Sequence, residues 1–240
     1  MKIIVVIQAR MGSTRLPGKI LMPLGEHDNL YYVTARSKSI PEVDEVIVAT
    51  SRLAQDDVVE KWCDEHQIIC YRGSEEDVLE RYIEAAKPYQ PDYVIRVTAD
   101  CPFLDVEMAQ DMIRLIHKED VDIVDLGADL PRGLAVEAIS YAALKYIDQH
   151  GQESRHREHV TYYAYEYKGQ FKRAVYHPPV SRLYPQLRIT LDTEEDYALI
   201  SAVANHFKDP HISSAAVLQY LLEHPELVQI NAHVEQKPVL

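Results

Sequence analysis

Residues 2–19 read KIIVVIQARMGSTRLPGK, and the character of this stretch changes halfway through. Residues 2–8 are mostly β-branched and apolar, which is typical of a strand buried in a parallel sheet. The residues that follow combine glycine and proline with three cations, Arg10, Arg15 and Lys19. Guanidinium groups bind phosphate oxygens in bidentate fashion, and lysine adds a point charge. We therefore predict a first strand that runs into a loop able to hold a small, multiply charged anion.

The chain beyond this loop repeats a strand-then-helix pattern. We predict strands at 45–50, 67–72 and 92–100 and helices at 29–39, 54–66, 74–87 and 105–119. Such units imply right-handed crossovers, and therefore an α/β fold with a mainly parallel sheet and helices on both faces. Ligands of such sheets bind beyond the carboxyl ends of the strands. The segments 8–19, 72–77 and 98–105 should therefore share one edge.

The pattern changes after a strand at 122–126. We predict a turn and strand within 130–140, helices at 140–150 and 153–168, strands near 171–176 and 186–191, and closing helices at 193–207 and 213–224. No repeat or flexible linker interrupts the chain. We expect one domain over residues 1–240, with an inserted arm at about 127–185.

The composition narrows the classes of function. The chain of 240 residues has a net charge of −13, which argues against a general nucleic-acid binder because such proteins need a basic face. Cys63, Cys70 and Cys101 show no paired spacing and are expected to be reduced thiols. We see no signal segment and no apolar run of membrane-spanning length. We expect a cytoplasmic protein whose partners are neither nucleic acid nor a membrane.

The cationic loop does not match the common phosphate-binding motifs. Five residues separate Gly12 from Gly18, where the motif GxxxxGK[ST] requires four, and Ile20 follows Lys19. No GxGxxG fingerprint of a dinucleotide-binding fold occurs either. From spacing alone, the alternative is a surface turn whose cations face water.

Six segments, in matching order, resemble the cytidylyltransferases that activate acidic sugars, namely the acylneuraminate and 3-deoxy-manno-octulosonate cytidylyltransferases. Within that family the chain is closest to the spore coat polysaccharide branch. The segments are IQARMGSTRLPGK (7–19), DEVIVATS (44–51), YRGSEEDVLERY (71–82), RVTADCPFLD (96–105), REHVT (157–161) and RITLDTEEDY (188–197).

The resemblance implies a Rossmann-like nucleotidyltransferase fold in which the first loop wraps a triphosphate. Arg15 and Lys19 would then bind phosphates. The nucleotide-binding residues implied in this way are Gln8, Ala9, Arg10, Gly12, Ser13, Thr14, Arg15, Lys19, Arg72, Ser74 and Asp77. Among them, the backbone of residues 8–10 would lie against the base, and residues 72–77 would lie on the base and ribose side.

Two aspartates follow predicted strands and resemble the metal-binding pair of the family. Asp100 and Asp192 would hold Mg²⁺ together with phosphate oxygens, the ligand set that this ion prefers. The structural alternatives are a turn at Asp100 and a helix N-cap at Asp192 or Thr193. The sequence D-x-D at 120–122 mimics the metal motif of glycosyltransferases, but it should lie at the amino end of a strand, and we favour a solvated strand start.

The acceptor is expected to lie near the arm. The REHVT match suggests Arg157 and His159 as acceptor contacts, with ordinary packing of the histidine as the alternative. Arg132 and Glu137 are further candidates. The branch commonly reads GLDVE where this chain has Ala135 in place of the aspartate, so a hydrogen-bond acceptor for a polar substrate is lost. Related enzymes form dimers through this region, and we expect a homodimer.

These observations predict a Mg²⁺-dependent cytidylyltransferase of surface polysaccharide or glycan biosynthesis. It would transfer CMP from CTP to an acidic sugar or related metabolite and release pyrophosphate, with Arg15, Lys19, Asp100 and Asp192 as its catalytic residues. One alternative is a glycosyltransferase that uses a nucleotide sugar and releases a nucleoside diphosphate. The other is a nucleotide-binding partner protein without turnover.

Overall fold

A seven-stranded sheet forms the centre of the molecule, which a computed structural model describes over residues 1–236. Two further short strands pair in a separate hairpin. The strands are β1 (Ile3–Gln8), β2 (Pro23–Leu24), β3 (His27–Asp28), β4 (Glu45–Ser51), β5 (Ile69–Gly73), β6 (Tyr93–Thr98), β7 (Ile123–Leu126), β8 (Glu137–Ser140) and β9 (Arg173–Tyr176).

The strand order of the sheet is β5-β4-β1-β6-β8-β7-β9. The first four strands in this order are parallel: Val5 of β1 pairs with Val46 of β4 on one side and with Ile95 of β6 on the other. Strand β8 runs antiparallel to both β6 and β7, and β9 pairs with β7 in parallel. The mainly parallel sheet was predicted, and its carboxyl edge brings the ends of β1 and β6 side by side.

The helices cover both faces of the sheet. They are α1 (Asn29–Lys38), α2 (Asp57–Glu65), α3 (Val78–Ala86), α4 (Val106–Lys118), α5 (Tyr141–His150), α6 (Ser154–Glu158), α7 (Tyr162–Glu166), α8 (Glu194–Phe207), α9 (Ser214–Glu223) and α10 (Pro225–Val228). Helices α1, α2, α4, α8 and α9 share one apolar core, whereas α3, α5 and α7 share the other. Within residues 1–236, none of the helices has the length and apolar character needed to cross a membrane.

Strand β1 contributes to both cores because its side chains alternate. Ile3, Val5 and Ile7 pack into the first core, and Ile4 and Val6 pack into the second. All five side chains are buried, and full burial of such an aliphatic side chain stabilises the fold by about 1.5–3 kcal/mol. The loop that follows β1 is therefore attached to one of the most firmly packed strands.

Polar side chains cap the helix N-termini, and the cap of α8 shows whether Asp192 or Thr193 is the N-cap. Thr193 is the N-cap of α8 and forms a capping box with Asp196. Asp192 lies outside this cap, so its carboxylate is free for other contacts. Other helices begin with side-chain caps of the same kind, at Asp28, Asp77, Asp105, Ser140 and Ser213.

Several predicted elements were wrong in detail. The helix predicted at 153–168 is divided into α6 and α7, because Val160 between them adopts a left-handed φ of 45° that an α-helix cannot contain. In place of the strand predicted at 186–191 there is a single bridge between Arg132 and Arg188. The backbone N–H of Ile189 donates to the carbonyl of Arg132, whereas that of Leu191 donates to the carbonyl of Asp100, so the segment does not pair with one strand throughout. The three cysteines are free, as predicted.

The segment predicted to be an inserted arm, residues 127–185, supplies two strands of the central sheet. Strand β8 lies between β6 and β7, and β9 forms the edge beyond β7. Helices α5, α6 and α7 connect these two strands. Part of this segment is therefore built into the sheet beside the edge where β1 and β6 end.

Candidate active site

A large cleft opens at the carboxyl ends of β1 and β6. Its volume is about 1110 Å³, and side chains from the loop after β1, the end of β6, the start of β8 and the region of α6 and α7 line it. The predicted site residues that line this cleft are Gln8, Arg10, Gly12, Ser13, Thr14, Arg15, Lys19, Asp100, Arg132, Glu137, His159 and Asp192. Most of the predicted site is therefore brought together.

The loop between β1 and residue 19 is ordered by its own backbone and by one buried carboxylate. The N–H of Gly18 donates to the carbonyl of Met11 at 3.1 Å, and Gly18 has a φ of 72°, which favours glycine. The N–H of Met11 donates to Oδ1 of Asp56 at 2.7 Å. Leu16 and Ile20 are buried and anchor the far end of the loop. The cations of the loop are thus presented from a fixed backbone.

Lys19 joins the two predicted metal-binding aspartates. Its Nζ donates to Oδ2 of Asp100 at 3.1 Å and to Oδ1 of Asp192 at 2.7 Å. The two aspartates are 92 positions apart in the sequence, and each lies where an extended segment ends. Their carboxylates therefore converge on one point at the floor of the cleft.

Charge compensation keeps Lys19 and Asp100 ionised. Burial alone would lower the pKa of Lys19, but the carboxylates of Asp100 and Asp192 outweigh it, and the pKa lies above its ordinary value. Burial alone would raise the pKa of Asp100, yet the Lys19 charge and a hydrogen bond from Thr98 lower the pKa of Asp100 to about 2. Thr98 Oγ1 donates to Asp100 Oδ1 at 2.5 Å.

Two arginines contact the other oxygen of Asp192. Nη2 of Arg15 lies 3.1 Å from Asp192 Oδ2, and Nη2 of Arg188 lies 3.0 Å from the same oxygen. Arg15 lines the cleft, whereas Arg188 does not. One carboxylate thus has three cationic neighbours, two of which come from the loop after β1.

The two carboxylates fit a divalent cation that is bound together with phosphates. They approach a single nitrogen, Nζ of Lys19, at ion-pair distance, so a cation near that point would have one oxygen of each within reach. Magnesium takes one or two carboxylates and completes its shell with phosphate oxygens and water. Across residues 1–236, no three His, Cys, Asp or Glu side chains are grouped as a metal cage of their own. The residues present therefore suit Mg²⁺ carried by a nucleotide.

A second cavity of about 540 Å³ is lined by Arg10 and by two of the three residues predicted on the base and ribose side. Ser74, Asp77 and Arg157 line it. Asp77 caps α3, and its Oδ2 accepts hydrogen bonds from Nε and Nη2 of Arg157 at 2.8 and 2.6 Å. Arg157, predicted to contact the acceptor, therefore lies on the side of Ser74 and Asp77 and does not line the larger cleft.

Two further predicted nucleotide-binding residues line neither the cleft nor the second cavity. The Arg72 guanidinium donates to the carbonyls of Ser51 and Leu53 and pairs with Asp57 and Glu60, so its hydrogen-bonding groups are used elsewhere. The side chain of Ala9 is buried in the core. The sequence D-x-D at 120–122 also lies outside the cleft, where Lys172 pairs with the exposed Asp120. The prediction of a solvated strand start there is confirmed.

The far end of the cleft, near β8 and α7, carries a charge-balanced polar wall. Oε2 of Glu137 accepts hydrogen bonds from Arg96 at 2.6 Å and from Thr161 at 2.9 Å, and Oε1 accepts one from Tyr165 at 3.0 Å. His159 also lines this end, and burial lowers its pKa, which favours a neutral imidazole at neutral pH. Arg132 is exposed at the same end. Space for an acceptor therefore lies beyond the Lys19 cluster.

Sequence reasoning missed four residues that shape the site: Asp56, Arg96, Tyr165 and Arg188. Asp56, Arg96 and Tyr165 act through partners distant in the sequence, so no local spacing identified them. Arg188 contacts Asp192 and Asp196 within its own segment, but these contacts depend on the turn that leads into α8. Arg96 and Arg188 begin two of the segments that carried the resemblance, and this was the one signal available.

Comparison with known proteins identifies the family. A family model described as cytidylyltransferase matches residues 4–237. The chain belongs to the cytidylyltransferase family. The resemblance found in the sequence is thereby confirmed, and the protein is a CTP-dependent nucleotidyltransferase.

Individual relatives match nearly the whole chain. Spore coat polysaccharide biosynthesis protein SpsF of Bacillus subtilis is 33% identical over 230 residues, which cover 93% of this chain and 95% of SpsF. A cytidylyltransferase structure from Leptospira borgpetersenii is 29% identical with a TM-score of 0.89, covering 99% of both chains. A CMP:2-keto-3-deoxy-manno-octonic acid synthetase complexed with CTP is 16% identical with a TM-score of 0.66, covers 86% of this chain and 100% of that one, and shares the fold.

Proposed function

We propose that this cytidylyltransferase is Mg²⁺-dependent, transfers CMP from CTP to an acidic sugar or related metabolite, and acts in the biosynthesis of a surface polysaccharide. The observation that carries the proposal is the convergence of Arg15, Lys19, Asp100 and Asp192 at the floor of one cleft. The similarity to SpsF supports a polysaccharide pathway, and the synthetase of similar fold was solved with CTP.

In the proposed reaction, an acceptor oxygen attacks the α-phosphorus of CTP. A new phosphorus–oxygen bond forms, the bond to pyrophosphate breaks, and the proton of the acceptor hydroxyl passes to water. Arg15 and Lys19, which neutralise the carboxylates in the structure, would turn to the triphosphate oxygens. When bound, Mg²⁺ would neutralise charge on the phosphate oxygens, and Asp100 and Asp192 would hold it.

The acceptor would occupy the end of the cleft formed by Arg132, Glu137, His159 and Tyr165. The Glu137 carboxylate is balanced by Arg96 and hydrogen-bonded on both oxygens, so this wall is polar without a net charge of its own. Arg132 is exposed there and could bind an acidic group. Ala135 lines the same space, and this leaves an apolar spot among the polar groups.

The test is a pyrophosphate-release assay with Mg²⁺, each of the four nucleoside triphosphates, and a panel of sugar acids and phosphonates. We expect release with CTP and at least one acidic acceptor. Asp100→Asn and Arg15→Ala should each abolish it, whereas Asp120→Asn, which changes an exposed aspartate outside the cleft, should not. Undiminished turnover by Asp100→Asn would remove this carboxylate from the reaction, and release with another triphosphate alone would contradict the assignment of CTP.

We also propose that the protein works as a cytoplasmic homodimer that uses the surface around α7. Tyr167 is exposed on this surface, and Tyr162 is partly exposed. Light scattering on the purified protein should give about twice the chain mass of 27.5 kDa. A mass equal to that of a single chain would contradict the dimer.

A further inference from the structure

A buried polar network lies behind Asp192. It consists of Arg188, Asp196 and Asn231, of which none lines the cleft. Arg188 comes from the extended segment before α8, Asp196 from the first turn of α8, and Asn231 from the chain after α10. The network therefore joins three separate parts of the fold to one predicted metal ligand.

Asp196 is the centre of this network. Its side chain is fully buried, and it accepts hydrogen bonds from Nε and Nη2 of Arg188, both at 2.8 Å. Asn231 Nδ2 donates to it at 2.8 Å, and the backbone N–H groups of Asp192 and Thr193 donate at 3.0 and 3.1 Å. A buried carboxylate needs such full satisfaction, because an unpaired one would be strongly destabilising.

The network fixes both the backbone and the side chain of Asp192. Asp196 accepts a hydrogen bond from the backbone N–H of Asp192. Arg188, which is bound to Asp196, donates a hydrogen bond to Asp192 Oδ2 at 3.0 Å. Asn231 also donates to the backbone carbonyl of Arg188 at 3.0 Å, so the arginine is held from both ends.

The three cations around Asp192 therefore differ in their freedom to leave it. Arg188 is bound in bidentate fashion by Asp196 and is buried, so its charge is already compensated. Arg15 and Lys19 line the cleft and can exchange their carboxylate partners for phosphates. When they do so, Oδ2 of Asp192 remains anchored to Arg188, and Oδ1 becomes available.

We propose that Arg188 is a positioning residue which, supported by Asp196 and Asn231, orients Asp192 Oδ1 toward the divalent cation of the nucleotide complex. This inference rests on the proposed function, because it assumes that Asp192 is a metal ligand. Partners that orient a ligand typically change metal affinity about 10- to 100-fold when they are altered. Lysine at position 188 would keep the charge beside Asp196 but could not bridge both carboxylates, because it lacks the planar fork of arginine.

The experiment measures Mn²⁺ binding by electron paramagnetic resonance of the free ion, with CTP present and no acceptor. Arg188→Lys is compared with wild type and with Arg182→Lys as a matched control. Arg182 is also buried between two carboxylates, at 2.5 Å from Asp105 and 2.7 Å from Glu107, but it lies outside the cleft. We expect Arg188→Lys to raise the Mn²⁺ dissociation constant about tenfold, while Arg182→Lys leaves it unchanged. Thermal unfolding without metal reports whether the two variants lose similar stability.

Wild-type affinity in Arg188→Lys, or an equal loss in Arg182→Lys, would overturn the positioning role and leave the metal proposal intact. Absence of Mn²⁺ binding by the wild-type complex with CTP would overturn both. If Arg188→Lys does not fold, Asn231→Ala replaces it. This variant removes one support of Arg188 and Asp196 and should weaken Mn²⁺ binding, and unchanged binding would again overturn the inference.

Discussion

Lys19 occupies the point that the metal and the triphosphate would share. Its ammonium bridges Asp100 and Asp192, and Arg15 adds a second positive charge beside them. The two positive charges balance the two negative charges of the carboxylates. A metal–triphosphate complex carries both signs of charge. Its phosphates can pair with Lys19 and Arg15 while its metal pairs with Asp100 and Asp192, so that no buried charge is left uncompensated.

The lowered pKa of Asp100 predicts a pH-dependent contribution to stability. Its pKa is about 2 in the folded protein, against an ordinary value of 3.8, so the folded state binds the proton more weakly than the unfolded chain. Asp100 therefore stabilises the fold fully above its ordinary pKa, by about 2 kcal/mol, and this contribution is lost as the pH falls towards the folded value.

Urea unfolding of wild type and Asp100→Asn at a series of pH values measures this contribution. We expect wild type to be the more stable protein near pH 6 and the difference in the free energy of unfolding to shrink below about pH 4. A difference that stays constant down to about pH 2 would show that Lys19 does not stabilise the charged carboxylate.

At the scale of elements, the loop after β1 depends on α2 for its position. Asp56, immediately before α2, is fully buried. It accepts the N–H of Met11 at 2.7 Å and the hydroxyl of Ser51, the last residue of β4. One carboxylate thus connects the end of β4, the start of α2 and the loop that carries Arg15 and Lys19.

Asp56→Ala should loosen this loop. The variant leaves the Met11 N–H and the Ser51 hydroxyl without their partner, which costs about 1–3 kcal/mol of stability. We expect the KM for CTP to rise about tenfold, because misplaced binding groups lose affinity steeply, while the KM for the acceptor changes little. Steady-state kinetics with each substrate varied in turn measure this. Asp57→Ala removes a neighbouring exposed carboxylate and is the matched control, and equal effects of the two variants would contradict the assigned role.

At the scale of the whole molecule, local sequence patterns were enough to predict the fold class and two residues of the candidate site. The β-branched run of β1 and the strand-then-helix units specified a mainly parallel sheet with helices on both faces, and the motifs located Asp100 and Asp192 at the ends of extended segments. Asp100 reaches the cleft because it follows β6 at the carboxyl edge of the sheet. Asp192 reaches it because the segment before it bonds to Arg132 and to the backbone of Asp100.

The features that sequence patterns did not predict depend on contacts that form only in the folded chain. Arg72 lies in a matching segment, yet the carbonyls of β4 and the loop after it bind its guanidinium away from the cleft. The division between α6 and α7 follows from a left-handed Val160, which apolar periodicity does not reveal. The half-buried Arg96 pairs with Glu137, which is 41 positions away, and no local pattern reveals such a pair.

The most direct test of the central claim is a calorimetric titration of CTP into wild type and Asp100→Asn, each with and without Mg²⁺. If the carboxylates and the loop cations hold a metal–triphosphate complex, Mg²⁺ should strengthen CTP binding to wild type about tenfold. In Asp100→Asn this gain should disappear, while binding of metal-free CTP is equal or tighter because one repelling charge is gone. An equal gain from Mg²⁺ in both proteins would contradict the claim.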